Sequence, residues 1–214
     1  MIFDHKLVEY IDFKYRKATF FDESSSDFIK GEALVFDEKK EEHFSVGEVS
    51  GYFFDINDSE NTLHDILDSI SADTNSISPY FDHRYNKVIP KIQKLFDFNE
   101  EDIMAMSSNF IYLHMLEVDK EYRGKGIGKL LISAFLNDCR RNACFAFLNA
   151  IPLQFNSGFD EQKNKITKKE FKDRNEKESK QQLIKFYTDC GFKLINKKKT
   201  DMVACISELY ISEL

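Results

Sequence analysis

Between Val118 and Lys129 the chain reads Val-Asp-Lys-Glu-Tyr-Arg-Gly-Lys-Gly-Ile-Gly-Lys. Gly124, Gly126 and Gly128 alternate with Lys125 and Ile127, and Arg123 stands directly before them. Glycines this dense let a backbone take up positive φ and approach a ligand closely. Upstream, Phe110 to Val118 is rich in β-branched and aromatic residues, as a buried strand is. Downstream, Ile127, Leu130, Leu131, Ala134, Phe135 and Cys139 recur at helical spacing. The first turn of such a helix presents N–H groups with no intrahelical acceptor and the positive end of the helix dipole. A glycine turn feeding it is an anion site of a size suited to a pyrophosphate. Arg123 and Lys125 add positive charge. The same pattern also serves as a plain strand–turn–helix connection. The dinucleotide fingerprint Gly-x-Gly-x-x-Gly does not fit the spacing here, and neither does a P-loop.

Two motifs in order carry a resemblance. Arg123-Gly124-Lys125-Gly126-Ile127-Gly128 resembles the Arg/Gln-x-x-Gly-x-Gly/Ala signature of the GNAT superfamily of acyl-CoA-dependent N-acyltransferases. Leu116-x-Val118-Asp119 sits where that family has its fourth strand. Phe186-Tyr187-Thr-Asp-Cys-Gly191-Phe192 resembles its Tyr-x-x-x-Gly-Phe helix end. The resemblance covers about residues 110–211. It implies an α/β fold, a mixed and mostly antiparallel sheet flanked by helices. It also implies transfer of an acyl group, acetyl from acetyl-CoA, to an amine by direct attack, with no metal.

The resemblance also implies roles. Arg123 to Gly128 would hold the pyrophosphate. The backbones of Leu116 and Val118 would hydrogen-bond an extended pantetheine arm, much as a peptide adds to a sheet edge, with Asn149 a further candidate on the neighbouring strand. Tyr187 would face the acyl-CoA sulfur, and a phenol is a reasonable donor to a leaving thiolate. An amphipathic stripe of Leu183, Phe186, Tyr187 and Cys190 also accounts for Tyr187 as a core residue. Two residues compete for the base. His114 stands where some family members place a catalytic histidine. Glu117 reaches the site if a bulge, common in this strand of the family, intervenes. Strict alternation puts Tyr112, His114, Leu116 and Val118 on one face. Where many members have an Asn, seven residues before the helix tyrosine, this chain has Lys180, and that role is not carried over.

Composition sets the bounds. The chain has 214 residues, 42% hydrophobic and 31% charged, enough for one domain with a sizeable core. No run approaches the ~20 apolar residues of a membrane span. No signal peptide is visible at the N-terminus, and the expected compartment is the cytoplasm. Cys139, Cys144, Cys190 and Cys205 lack metal-ligand spacing and read as reduced core thiols. A net charge of −7 argues against a general nucleic-acid binder. The expected partner is a small-molecule or peptide amine acceptor, with monomer or homodimer both open. A toxin-like enzyme acting on aminoacyl-tRNA needs a basic groove, for which Lys163 to Lys180 and Lys197 to Lys199 are the candidates. A non-catalytic acyl-CoA sensor and an interaction module also remain open.

The elements that position these residues follow in order. Residues 1–56 read as N-terminal strands, 57–108 as a helical insert and 109–214 as the acyl-CoA-binding half of a single domain. Ile11–Phe20, Phe28–Phe36 and His43–Ile56 are expected as an antiparallel meander, with Gly47 and Gly51 as bulge sites. The short gaps leave no room for the two helices the family has between its first strands. Asn57-Asp58-Ser59 can cap a helix striped by Leu63, Ile66, Leu67 and Ile70. Residues 71–86 read as a loop. Pro90 opens a second helix. Ala143–Leu148 reads as a strand buried on both faces, and 156–180 as a solvated, charge-rich segment. A helix spans about Lys180–Cys190 and stops at Gly191. Two last strands, Phe192–Ile195 and Met202–Ile211, form a hairpin.

Overall fold

Alternating apolar residues build a seven-stranded sheet whose two faces are both largely covered. The computed structural model describes residues 8–17, 26–56, 63–82, 87–152, 155, 175–196 and 199–206. Strands β1 (Tyr10–Lys17), β2 (Ser26–Asp37) and β3 (Glu42–Phe54) form the expected antiparallel meander. They are followed by helices α1 (Leu63–Ile70) and α2 (Ala72–Asn75), a ribbon of β4 (Phe81–Asp82) with β5 (Lys87–Val88), and helices α3 (Pro90–Leu95) and α4 (Glu100–Ala105). Next come β6 (Phe110–Val118), α5 (Ile127–Cys139), β7 (Phe145–Asn149), α6 (Glu176–Asp189), β8 (Lys193–Leu194) and β9 (Asp201–Cys205). The strand order is β1-β2-β3-β6-β7-β9-β8, and the β6–β7 pair alone is parallel. The sheet is therefore mixed and mostly antiparallel, as expected.

Period-2 alternation assigns each strand residue to one of two cores. Helices α5 and α6 cover one face. There Ile29, Ala33, Val49, Ile111, Leu113, Ala146, Leu148, Met202 and Ala204 meet Leu131, Phe135 and Tyr187. The insert covers part of the other face, where Phe54, Phe110, Tyr112, Phe147 and Val203 meet Leu63, Leu67, Ile92 and Ile103. The Phe54 and Phe110 rings stack at 4.7 Å, and Phe81 lies 4.7 Å from Phe110. One buried polar contact joins the insert to the sheet: the Tyr80 hydroxyl donates to Asp201 Oδ2 at 2.6 Å.

Several expectations need correction. Residues 71–82 are not a plain loop: they hold α2, a 3-10 turn at Ser78–Tyr80 and β4. Thr74 draws the chain back by donating its hydroxyl to Leu67 O at 2.7 Å. Helix α4 is not among the expected helices, although Asn99-x-x-Asp102 is a start signal. The two side chains satisfy each other's backbone N–H at 2.9 Å. Helix α6 begins at Glu176, earlier than Lys180, because Asn175 caps it by accepting from Glu178 N–H at 2.8 Å. The proposed cap at residues 57–59 and most of the charge-rich stretch, 156–174, lie outside the described residues.

Gly47 and Gly51 do sit at irregular register. Leu34 pairs with Ser45 and Ala33 with Gly47, so Val46 is the extra residue in β3. Opposite Gly51 the extra residue lies in β6, as His114. A Cβ at Gly51 would stand 2.5 Å from Tyr112 O and 2.9 Å from Phe135 Cζ. That closeness lets α5 lie on the sheet. Gly51→Ala should therefore destabilise the protein by about 1–3 kcal/mol, the usual cost of overpacking. A urea denaturation midpoint equal to wild type would contradict this.

Candidate active site

The site begins where two strands part. Strands β6 and β7 pair from Phe110–Phe145 to Leu113–Leu148 and no further. Beyond that point β6 keeps β3 as its partner, through Ser50–Met115, Val49–Leu116, Glu48–Glu117 and Gly47–Val118. An opening therefore lies beside residues 114–118. The backbone direction follows from one hydrogen bond. Asp119 N–H reaches Val46 O at 2.9 Å. Gly47–Val118 is thereby a non-hydrogen-bonded pair of the antiparallel ladder. The N–H and C=O of Val118 point away from β3 into the opening, and by the two-residue repeat so do those of Leu116. Arg123 fills part of this demand, donating Nε–H to Val118 O at 2.7 Å. Its first role is thus to tie the turn to the strand end.

The bulge overturns strict alternation. Leu113, Leu116 and Val118 all pack toward α5, which requires one extra residue between Leu113 and Leu116. His114 is that residue, and its ring meets Tyr52 edge-on at 5.7 Å on the insert face. Tyr112 belongs to the insert-side core, and Glu117, opposite Glu48, shares that face. So Tyr112 and His114 do not share a face with Leu116 and Val118. Both base candidates instead lie on the insert side of the opening. Glu48 there is held by Lys30 at 2.7 Å, and Lys30 also reaches Glu32 at 3.3 Å.

The glycine turn lies at the other end. Gly124 and Gly126 have φ of 74° and 87°, left-handed values that disfavour any residue with a Cβ. Gly126 is the N-cap of α5 and so offers its first turn no side-chain acceptor. The N–H groups of Ile127 and Gly128, in the first turn, have no intrahelical acceptor, the arrangement an anion can use. Lys125 lies 4.9 Å over the Tyr122 ring. Gly128 departs from expectation: its φ is not positive, and it lies inside α5. A Cβ there would meet Phe186 Cζ of α6 at 3.3 Å. Its smallness serves helix packing.

Tyr187 and Asn149 complete the candidates. Tyr187 is 7% exposed within the α5-side core, edge-on to Phe186 at 5.2 Å and Phe192 at 5.8 Å. Burial first, and Cys190 second, push its phenol well above the ordinary range. Gly191, at φ 91°, ends the helix as expected. Asn149 follows Phe147 on the insert face, beside Asp201 of β9. Its Oδ1 accepts the Thr200 hydroxyl, and its carbonyl accepts Ile151 N–H at 2.8 Å. A bulge in this strand is among the expectations; what the sequence lacks is its position at His114, which depends on pairing with β3. Among the described residues no three His, Cys, Asp or Glu side chains are grouped to hold a metal ion, and no helix is long and apolar enough to cross a membrane.

A family model described as Acetyltransferase (GNAT) family matches residues 91–156. Over that stretch the chain is similar to GNAT acetyltransferases. The stretch runs from α3 through the glycine turn to just past β7, less than half of the chain. It starts earlier than the resemblance at Phe110 and stops before α6, so the GNAT match includes His114, Glu117, the glycine turn and Asn149 but not Tyr187. No curated protein matches the chain. Among solved structures, a tyrosine-to-phenylalanine mutant of KacT is 10% identical, covering 86% of this chain and 75% of that one, at TM-score 0.44. AtaTR bound with AcCoA is 10% identical, covering 87% and 73%, at TM-score 0.41. Arabidopsis thaliana NAA60 in complex with a bisubstrate analogue is 14% identical, covering 83% and 76%, at TM-score 0.38. Likeness at this level bears on neither activity nor substrate.

Cys190, beside Tyr187, is not poised as a nucleophile. Burial pushes its thiol up to about 11, against a partial lowering by Lys129. A raised thiol stays protonated below that value, so its thiolate fraction grows about tenfold per pH unit through neutrality. Iodoacetamide labelling of Cys190, read by mass spectrometry, should climb at about that rate from pH 7 to 9. A plateau reached by pH 8 would overturn this picture.

Proposed function

We propose that the protein transfers an acetyl group from acetyl-CoA to an amine by direct attack in a ternary complex. The observation that supports this most is the parting of β6 from β7. It leaves an opening with the glycine turn at one end and different polar groups on its two faces. Acyl transfer needs the nucleophile and the leaving sulfur to have separate surroundings. His114 and Glu117 border the insert side, where an amine can lose a proton. Tyr187 and the anion turn belong to the α5 side, where the coenzyme would lie.

Each residue then has a bounded task. The N–H groups of Ile127 and Gly128, with the α5 dipole, hold the pyrophosphate. The backbones of Leu116 and Val118 carry the pantetheine arm, and an N–H there stabilises the developing oxyanion. His114 or Glu117 accepts the amine proton, directly or through water. Tyr187 donates to the leaving sulfur. Because burial raises its pKa, full transfer to a thiolate near 8.5 is uphill, by about 1.4 kcal/mol per unit. Its contribution is therefore a hydrogen bond to a developing thiolate, with the phenol protonated throughout the working pH range. The acceptor is a small-molecule or peptide amine.

Two measurements test this reading. Gly126→Asp sets a Cβ and a carboxylate at the anion site, and should weaken acetyl-CoA binding at least tenfold, about 1.4 kcal/mol. Calorimetry showing unchanged affinity in a folded variant would exclude the anion site. Tyr187→Phe keeps the ring and its packing. It should leave acetyl-CoA affinity nearly unchanged and lower turnover about 10²-fold. The loss should shrink with an acyl donor whose leaving thiol is more acidic. Equal losses with both donors would reduce Tyr187 to a core residue.

A further inference from the structure

Gly128 and Phe186 meet at a junction that no single motif describes. The point where a Gly128 Cβ would stand is 3.3 Å from Phe186 Cζ, 3.7 Å from Phe186 Cε2 and 3.7 Å from Leu116 Cδ2. Three elements converge there: the first turn of α5, the half-buried end of β6, and α6. Phe186 is half-buried at the edge of the α5-side core and meets the Tyr187 ring edge-on at 5.2 Å. Its ring thus touches the helix start that would hold phosphate, beside the strand that would hold pantetheine. Its backbone carries the tyrosine assigned to the sulfur. Glycine at residue 128 is favoured by this ring and not by backbone conformation, since φ there is not positive.

We propose that Phe186 is a positioning residue for acyl transfer: its ring, seated on Gly128, fixes the spacing between the anion turn and Tyr187. This rests on the acetyl-CoA reading above. The physical argument is one of packing. A methyl at 3.3 Å must push the ring aside by a few tenths of an ångström. Phe186 is half-buried, but Tyr187 beside it is packed in the core, so on this proposal the push moves α6 relative to α5. A donor moved away from the reacting sulfur by that amount gives lost turnover.

The test is a double-mutant cycle read in turnover with saturating acetyl-CoA and, separately, in Tm. Gly128→Ala alone should lower turnover about fivefold, and Phe186→Leu alone about threefold, through lost support. In the Phe186→Leu background the added methyl occupies room the ring has left. Gly128→Ala should there change turnover by less than about twofold. If Phe186→Leu does not fold, Phe186→Met carries the same cycle. An equal loss from Gly128→Ala in both backgrounds would show that the methyl acts without the ring, and would overturn the proposal. Coupling in Tm without coupling in turnover would reduce the contact to core packing, and overturn it too. Failure of the wild-type protein to bind acetyl-CoA overturns the reading of the site itself, whereas binding without coupling overturns only the role of Phe186.

Discussion

Every backbone N–H and C=O taken out of water needs a partner, and this requirement shapes the molecule where β6 leaves β7. Up to Leu113–Leu148 each strand supplies the other. Beyond, β7 ends at Asn149 and β6 runs on to Val118 with β3 as its partner. The groups of Leu116 and Val118 that turn from β3 must find partners in the opening. One finds Arg123, which fastens the glycine turn to the strand. The others are suited to an extended ligand that presents amides of its own. The same parting allows the turn to swing into α5 with Gly126 at its head, so the proposed anion site and the strand edge share one origin.

The bulge at His114 then divides labour between the two faces. Without it, Glu117 would point into the α5-side core, where a carboxylate costs several kcal/mol to desolvate. With it, Leu116 and Val118 fill that core and Glu117 joins the charged surface of β2 and β3. The faces differ electrostatically as a result. On one side Lys14, Lys30, Glu32 and Glu48 form linked ion pairs. On the other, apolar packing raises the pKa of both Tyr187 and Cys190. A raised phenol is a steady hydrogen-bond donor and a poor source of a fully transferred proton, which sets the scale of what Tyr187 can contribute.

The first strands are linked too tightly to carry helices, and the helical material comes after β3. It covers the far half of the insert-side face and leaves the strip around Tyr52 and His114 half-buried. The Tyr80–Asp201 bond fixes the insert to β9, at the residue that pairs with Asn149. The insert thus borders the opening as well as covering the sheet.

What the sequence determined by itself was local. The strand from Phe110, the glycine turn, the helix from Ile127, the stop at Gly191 and the meander of β1 to β3 all rest on periodicity and turn chemistry within about a dozen neighbours. The same locality made the Asn99–Asp102 start of α4 available. Tertiary structure decided what depends on partners far along the chain. The extra residue at His114 exists because Ser50 and Gly51 pair with Met115 and Leu113, some sixty positions away. Gly128 looked like one more flexible turn residue, yet the Phe186 ring, nearly sixty positions on, is what excludes its side chain. Side-chain period tells which face a residue takes only while register is unbroken. Register is a property of two strands together, and one chain segment read alone does not contain it.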